Sequence, residues 1–357
     1  MKTKLLTRFI ICFLSFCLPI SVTACPPPSC PDCYTGSACD VYICGCFPSS
    51  IGFSVWPSTN NRYVCIVDTV TFSAWPYTWD GDGCSLIYSW DFGRDAYDPC
   101  TGAGNWASCR YSSIGDRTVT LTVTRVTIPN SCCSTPRTAS FSRTVTVVKV
   151  ASLEPDPGPC IEEIDDSDGN PDTKSFVACA ENGGVITVRA TPNPVVSEQN
   201  LPGYGYTWGW QLTGGTGSSW LIRTVDRTTP GVTTIICVCG SSSFKQTKIY
   251  VVKVDKVVEA GTTNEGPLYP GCLGTIVFLE AKPSPAGVSF PSGGPYWEIV
   301  EQPTGANASL SPTSGSTTTT LSGLTKWGNY VVKAKCGCSD TGDSITVKFN
   351  LVSETQY

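Results

Sequence analysis

The 357-residue chain has no histidine and a single methionine. Without an imidazole there is no Ser-His-Asp or Cys-His nucleophilic site, no His-ligated metal and no haem attachment motif. Charge is scarce as well. Asp, Glu, Lys and Arg make up 15% of the residues, against about 25% in an average globular protein. No apolar run reaches the roughly 20 residues that a membrane-spanning helix needs. Past the N-terminus no stretch keeps an apolar 3.6-residue period long enough for a helix. P-loop and dinucleotide fingerprints are missing too. A net charge of −5 without a basic patch argues against nucleic acid as a partner.

What fills the chain is Thr, Ser, Gly and aromatics, the composition of strands and turns, together with 21 cysteines. Residues 1–24 read as a signal peptide: Lys2, Lys4 and Arg8, then an apolar stretch from Phe9 to Ile20, then the small residues Val22-Thr23-Ala24. Export explains the cysteines, because an oxidising compartment turns such density into a disulfide framework. Cys12 and Cys17 leave with the leader, and the remaining number is odd. Val22-Thr-Ala-Cys25 is similar to a bacterial lipobox, which implies lipidation of Cys25 and leaves an even set. The alternative is ordinary cleavage before a Cys25 that pairs with another chain. The expected location is the cell surface or outer membrane as a lipoprotein, otherwise extracellular, with the membrane touched only through the lipid anchor.

Three phrases recur with a period of roughly 100 residues, the spacing of tandem sandwich domains. The first is a Cys, a turn and an alternating strand: Cys65 to Ala74, Cys179 to Ala190, Cys272 to Ala281. The second is a Tyr/Trp strand at Tyr88–Gly93, Tyr206–Trp210 and Tyr296–Ile299. The third is a Gly opening another strand: Gly115 to Val123, Gly231 to Cys239, Gly328 to Cys338. Val147-Val-Lys-Val150 and Val251-Val-Lys-Val254 close the first two repeats. The expected fold is all-β, with three tandem Ig-like β-sandwiches at 51–151, 152–255 and 256–357. A Cys- and Pro-rich segment at 25–50 precedes them. No Gly/Ser linker separates the repeats, so the expectation is a stiff, stacked rod.

Repeat one, with Tyr88-Ser-Trp-Asp-Phe-Gly93, Asp80-Gly-Asp-Gly83 before it and Tyr111-Ser-Ser-Ile-Gly-Asp-Arg-Thr-Val after it, resembles a PKD domain. It departs at Arg94-Asp95 and in the loops around Cys84, Cys100 and Cys109. The resemblance implies an extracellular spacer or binding module. Repeats two and three resemble generic bacterial Ig-like domains.

Four candidate chemistries remain. Carboxylate pairs suit glycoside hydrolysis, but the sandwiches use up the chain and leave no catalytic domain, so no enzymatic activity is expected. Cys30-x-x-Cys33 with Cys44-x-Cys46 has the thiolates of a metal site, yet exported thiols oxidise and the segment needs staples. Asp165, Asp166, Asp168, Asn170 and Asp172 alternate oxygen ligands as calcium loops do, without EF-hand spacing; a solvated acidic turn is the plainer reading. No other cofactor is expected. Trp75, Tyr77 and Trp79 cluster in what reads as a loop after the first core strand. They suit stacking on a glycan or anchoring a protein partner, or plugging the end of the sandwich. Trp90, Trp208 or Trp210, and Trp297 fall on core strands and read as packing.

Strand geometry bears on the disulfides. In a seven-strand sandwich the second and sixth strands run the same way, so the start of one and the end of the other lie roughly 23 Å apart. A disulfide tolerates only about 4.4–6.8 Å between Cα atoms. Geometry therefore argues against pairing the Cys before the first core strand with the Cys-x-Cys of the same repeat, whereas in a head-to-tail rod the bottom of one repeat meets the top of the next. Cys65 is expected to pair with Cys237 or Cys239, and Cys179 with Cys336 or Cys338. Cys132 or Cys133 would take Cys44 or Cys46. Cys272 has no downstream repeat and becomes the candidate for bonding another subunit in a homo-polymer. The functional expectation is a non-enzymatic exported surface protein for adhesion, surface structure or envelope scaffolding, with a cell-surface protein or glycan as partner. The alternative is a carbohydrate-binding accessory protein using the aromatics of the first repeat.

Overall fold

The computed structural model describes residues 51–75, 86–93, 96–126, 138–165, 169–203, 209–337 and 342–349. Among them there is one short 3-10 turn, Glu198–Asn200, and no α-helix. Everything else regular is β, as the alternation of small polar and β-branched residues dictates.

The first sandwich uses β1 (Gly52–Trp56), β2 (Tyr63–Cys65), β3 (Val70–Trp75), β4 (Leu86–Asp91), β5 (Ala96–Ala103), β6 (Trp106–Tyr111), β7 (Gly115–Arg125) and the start of β8 (Thr138–Pro155). One sheet runs β1-β3-β6-β5 and the other β4-β7-β8, with β2 parallel to β8. The second sandwich is built from the end of β8 with β9 (Ile161–Ile164), β10 (Thr173–Cys179), β11 (Val185–Asn193), β12 (Trp210–Thr213), β13 (Ile222–Asp226), β14 (Gly231–Cys239) and the start of β15 (Ser243–Glu259). Here β8-β11-β13 forms one sheet and β12-β14-β15 the other, with β10 parallel to β15. The third adds β16 (Val277–Ser284), β17 (Tyr296–Glu301), β18 (Ser309–Ser311), β19 (Thr318–Ser322), β20 (Gly328–Lys335) and β21 (Gly342–Phe349) to the end of β15. Its sheets run β15-β16-β19-β18 and β17-β20-β21, and Leu268 pairs in parallel with Val347. In each unit the first, second and fifth core strands face the third, sixth and seventh, which is the immunoglobulin-like order.

β8 and β15 each belong to two sandwiches. β8 pairs with β2 at residues 146–148 and with β11 at residues 149–155. β15 pairs with β14 up to Val251 and with β16 from Lys253. The repeat limits read at 151/152 and 255/256 thus fall inside continuous strands. Alternation along a strand makes this feasible, because successive side chains point to opposite faces. Ile249 and Val251 enter the core of the second sandwich, while Val252, Val254 and Val257 enter that of the third. Val148 and Val150 likewise enter the second core. Val145 and Val147 are fully buried on the opposite face of β8. Each Val-Val-Lys-Val motif therefore marks the point where a strand changes the core it serves.

The three cores are filled by the expected strands. In the first, Trp90 lies 5.4 Å from Phe53 and stacks at 5° on Phe92, whose ring is 5.4 Å from Phe72. Trp210 and Trp297 are buried, and their indole N–H groups donate to Trp220 O at 2.8 Å and Ser316 O at 3.0 Å; Trp208 lies outside the described residues. In the third sandwich, fully buried Tyr330 near the start of β20 donates to Lys326 O at 2.9 Å and accepts from Lys326 N at 3.1 Å. This is the tyrosine corner of Ig-like sandwiches. Tyr330→Phe is expected to lower the free energy of unfolding by about 1 kcal/mol with the urea m-value unchanged, as read by equilibrium denaturation.

Candidate functional site

Among the described residues, two disulfides and a set of polar contacts lie where one sandwich meets the next. Cys65 ends β2 and Cys239 ends β14; their sulfurs are bonded with a Cα separation of 5.4 Å. Cys179 ends β10 and is bonded to Cys336, just after β20, at a Cα separation of 5.6 Å. Both pairs link consecutive sandwiches, and both sit beside a shared strand. Val148 O lies 3.6 Å from Cys239 Sγ, and Ile66 N donates to the same carbonyl. At the second junction Ala180 N donates to Val252 O.

Polar contacts follow one plan at the two junctions. Across the first, Thr59 Oγ1 donates to Leu201 O at 2.5 Å; beside it, within the second sandwich, Val150 N donates to Ser243 Oγ at 2.8 Å and Thr247 Oγ1 donates to Leu153 O. Asp68 accepts from Ser241 N at 2.8 Å and Ser241 Oγ at 2.9 Å. In the second, Glu162 accepts from the backbone N–H and hydroxyl of Ser292. Buried Arg227 donates to Cys179 O at 2.7 Å and Pro159 O at 3.1 Å and pairs with Glu181 at 2.8 Å. That guanidinium supplies partners to the carbonyls of Cys179, at the end of β10, and of Pro159, just before β9.

Two glycines make the close approach feasible. Gly240 and Gly337 each follow the bonded cysteine, with φ +65° and +49°. A Cβ on Gly240 would stand 1.7 Å from Asp68 Oδ2, and one on Gly337 would stand 2.7 Å from Cys179 Sγ and 2.8 Å from Cys160 Sγ. Cys160 is itself disulfide-bonded. The Cys-Gly dipeptide is thus the local signature of each junction, and it was readable at Cys239-Gly240 and Cys336-Gly337.

The remaining expected residues fall as follows. Cys237, one pleat below Cys239, is buried as a free thiol, and burial pushes its pKa above the usual thiol range. Such a thiol is inert. Cys272 is exposed and free of a disulfide. Cys25, Cys44, Cys46, Cys132, Cys133, Cys338, Tyr77, Trp79, Asp166 and Asp168 lie outside the described residues. In the acidic stretch Asn170 Oδ1 accepts from Asp172 N, and the Asp172 carboxylate is paired with Lys245 at 2.7 Å. Asp165 is exposed. Trp75 corrects the sequence reading: it is the last residue of β3, not a loop residue, and stands exposed on the outer face of its sheet. The strand period carries one residue further than the Trp-Pro boundary suggested. Sequence reasoning also missed the Cys100–Cys109 disulfide between neighbouring strands β5 and β6. Its short spacing was the available signal.

No family model matches this sequence, and no curated protein matches it. Among solved structures, three N-terminal domains of the bacteriophage RB49 highly immunogenic outer capsid protein are similar at 14% identity, TM-score 0.30, covering 85% of this chain and 100% of that one. The I67–I69 fragment of titin is similar at 12% identity, TM-score 0.26, covering 84% and 97%. Domains 4–9 of the surface layer protein SbsC are similar at 14% identity, TM-score 0.21, covering 84% and 47%. The Ig-like fold rests on the strand order above.

Gly337→Ala is expected to destabilise the chain by about 1–3 kcal/mol, because an L side chain strains positive φ and two sulfurs block the Cβ. Gly305→Ala is the matched control, since Gly305 has φ +78° with nothing within 4 Å of its Cβ. A larger loss of unfolding free energy at position 337 than at 305 is the expected result in equilibrium denaturation.

Proposed function

We propose that this chain is an exported, non-enzymatic surface protein whose three sandwiches work as one stapled array, in adhesion, surface structure or envelope scaffolding. The observation that carries the reading is the pairing of a shared strand with a cross-repeat disulfide at both junctions. A hinge between domains needs a few residues free to change φ and ψ. Here the strand is paired in a sheet up to the boundary and again directly after it, with a single residue, Ala151 or Asp255, skipped between. Such a chain transmits force and holds spacing better than beads on a linker. Lipidation of Cys25 and the PKD character of the first repeat belong to the same reading, in which the array stands at a cell surface.

The two disulfides interleave along the sequence, spanning 174 and 157 residues. Pulled from its ends, the oxidised chain should release only part of its length. Reduction should add contour length on the order of several hundred ångströms, at about 3.3–3.6 Å per freed residue. Single-molecule force spectroscopy with and without reductant measures this, and equal lengths would sink the stapled array. Anchorage has its own test. Wild-type protein should fractionate with membranes and Cys25→Ser should appear in the soluble fraction, since acyl chains supply the attachment.

A further inference from the structure

The outer face of the sheet β1-β3-β6-β5 carries three exposed tryptophans: Trp56 at 62%, Trp75 at 43% and Trp106 at 51% exposure. A large indole on a solvent-facing sheet gains nothing for the core behind it, and three on one face are not scattered surface residues. The register places them together. Trp56 is opposite Thr71, Thr71 opposite Ser108, and Ser108 opposite Thr101, giving one row across four strands. Trp106 is opposite Ser73 in the next row, and Trp75 is opposite Gly52 in the row beyond. From strand spacing and rise, the three indole-bearing Cα positions lie about 8–14 Å apart.

Gly52 sets the posture of one ring. A Cβ there would stand 2.5 Å from Trp75 Cζ2, so the missing side chain lets the indole lie across the neighbouring strand. Thr101 and Ser108 hydroxyls lie 3.0 Å apart beside the aromatic rows. The other outward positions of β1, β3 and β6 are serine, threonine and Arg110, whose Nε donates to Thr69 Oγ1 at 2.9 Å.

We propose that this face is a binding platform for an extended, uncharged β-1,4-linked polysaccharide. A pyranose ring has an apolar C–H face and a rim of hydroxyls. The first stacks on an indole and the second needs donors and acceptors in reach. Indoles interleaved with hydroxyls supply both. The outward positions of β1, β3 and β6 hold no aliphatic side chain, such as the buried centre of a protein interface uses. A single arginine there is too little cationic charge for an anionic lipid surface. Its near neutrality matches an uncharged glycan, and rings spread over successive rows match an extended ribbon. The platform goes beyond the stapled array, which does not depend on this face.

The test is retention of the full oxidised chain on microcrystalline cellulose and on chitin. Trp56→Leu, Trp75→Leu and Trp106→Leu keep an apolar side chain but remove the ring, and their melting temperatures should stay at the wild-type value. Each is expected to weaken retention about two- to tenfold, the scale of one lost aromatic contact. Trp327→Leu, on another sandwich, should leave it unchanged. Cellulose against chitin tells which glycan is taken. Absence of wild-type retention on both supports, or leucine variants that bind as well as wild type, would overturn the proposal. The force measurement would be untouched by that failure.

Discussion

A β-strand has two faces, and this molecule is organised around the use of both by different cores. β8 and β15 run through two sandwiches apiece as continuous strands, with only a one-residue register shift at Ala151 and at Asp255. Val251 points into one core and Val252 into the next. Strand rise and pleat then fix the offset and facing of consecutive sandwiches, because neither can turn without breaking the ladder that both share. Conventional tandem domains leave a few unpaired residues at the boundary and move there. In this chain paired strand lies on both sides of the boundary, one residue apart.

The disulfides, glycines and polar contacts at the junctions are consequences of that arrangement. A shared strand brings the end of a parallel strand from one sandwich beside the end of the sixth core strand of the next. The cysteines at these ends are then within bonding range. Close approach leaves no room for a Cβ after the second cysteine, hence Gly240 and Gly337. It also buries backbone carbonyls, and Arg227 meets two of them. Each element would be an isolated curiosity alone. Together they describe an interface made once and repeated with different side chains.

The first sandwich differs from the others in where it puts its aromatics. Phe53, Phe72, Trp90 and Phe92 fill its inside, while Trp56, Trp75 and Trp106 occupy the reverse of the sheet that carries Phe53 and Phe72. Period-two alternation separates the two sets strictly, so the inner set carries stability and the outer set is available for contact. A Trp beside Pro at positions 56 and 75 reads in isolation as the edge of a loop. Only the pairing of β1 with β3 turns both into sheet-face residues.

Local periodicity was enough to read all-β architecture, the three repeats and the packing role of Trp90, of Trp297 and of one of the pair Trp208 and Trp210, since alternation and turn chemistry are written in neighbouring residues. Strand length and disulfide reach argued against pairing Cys65 or Cys179 with the Cys-x-Cys of its own repeat and pointed each to the following repeat. They left Cys237 and Cys239 open, because both face the same way along β14 and only the depth of the junction separates them. The sharing of β8 and β15, the clamp at Arg227 and the meeting of Trp56, Trp75 and Trp106 were decided by tertiary structure. Each depends on which strand lies beside which, and register between strands distant in sequence is a property of the folded sheet rather than of any short stretch of chain.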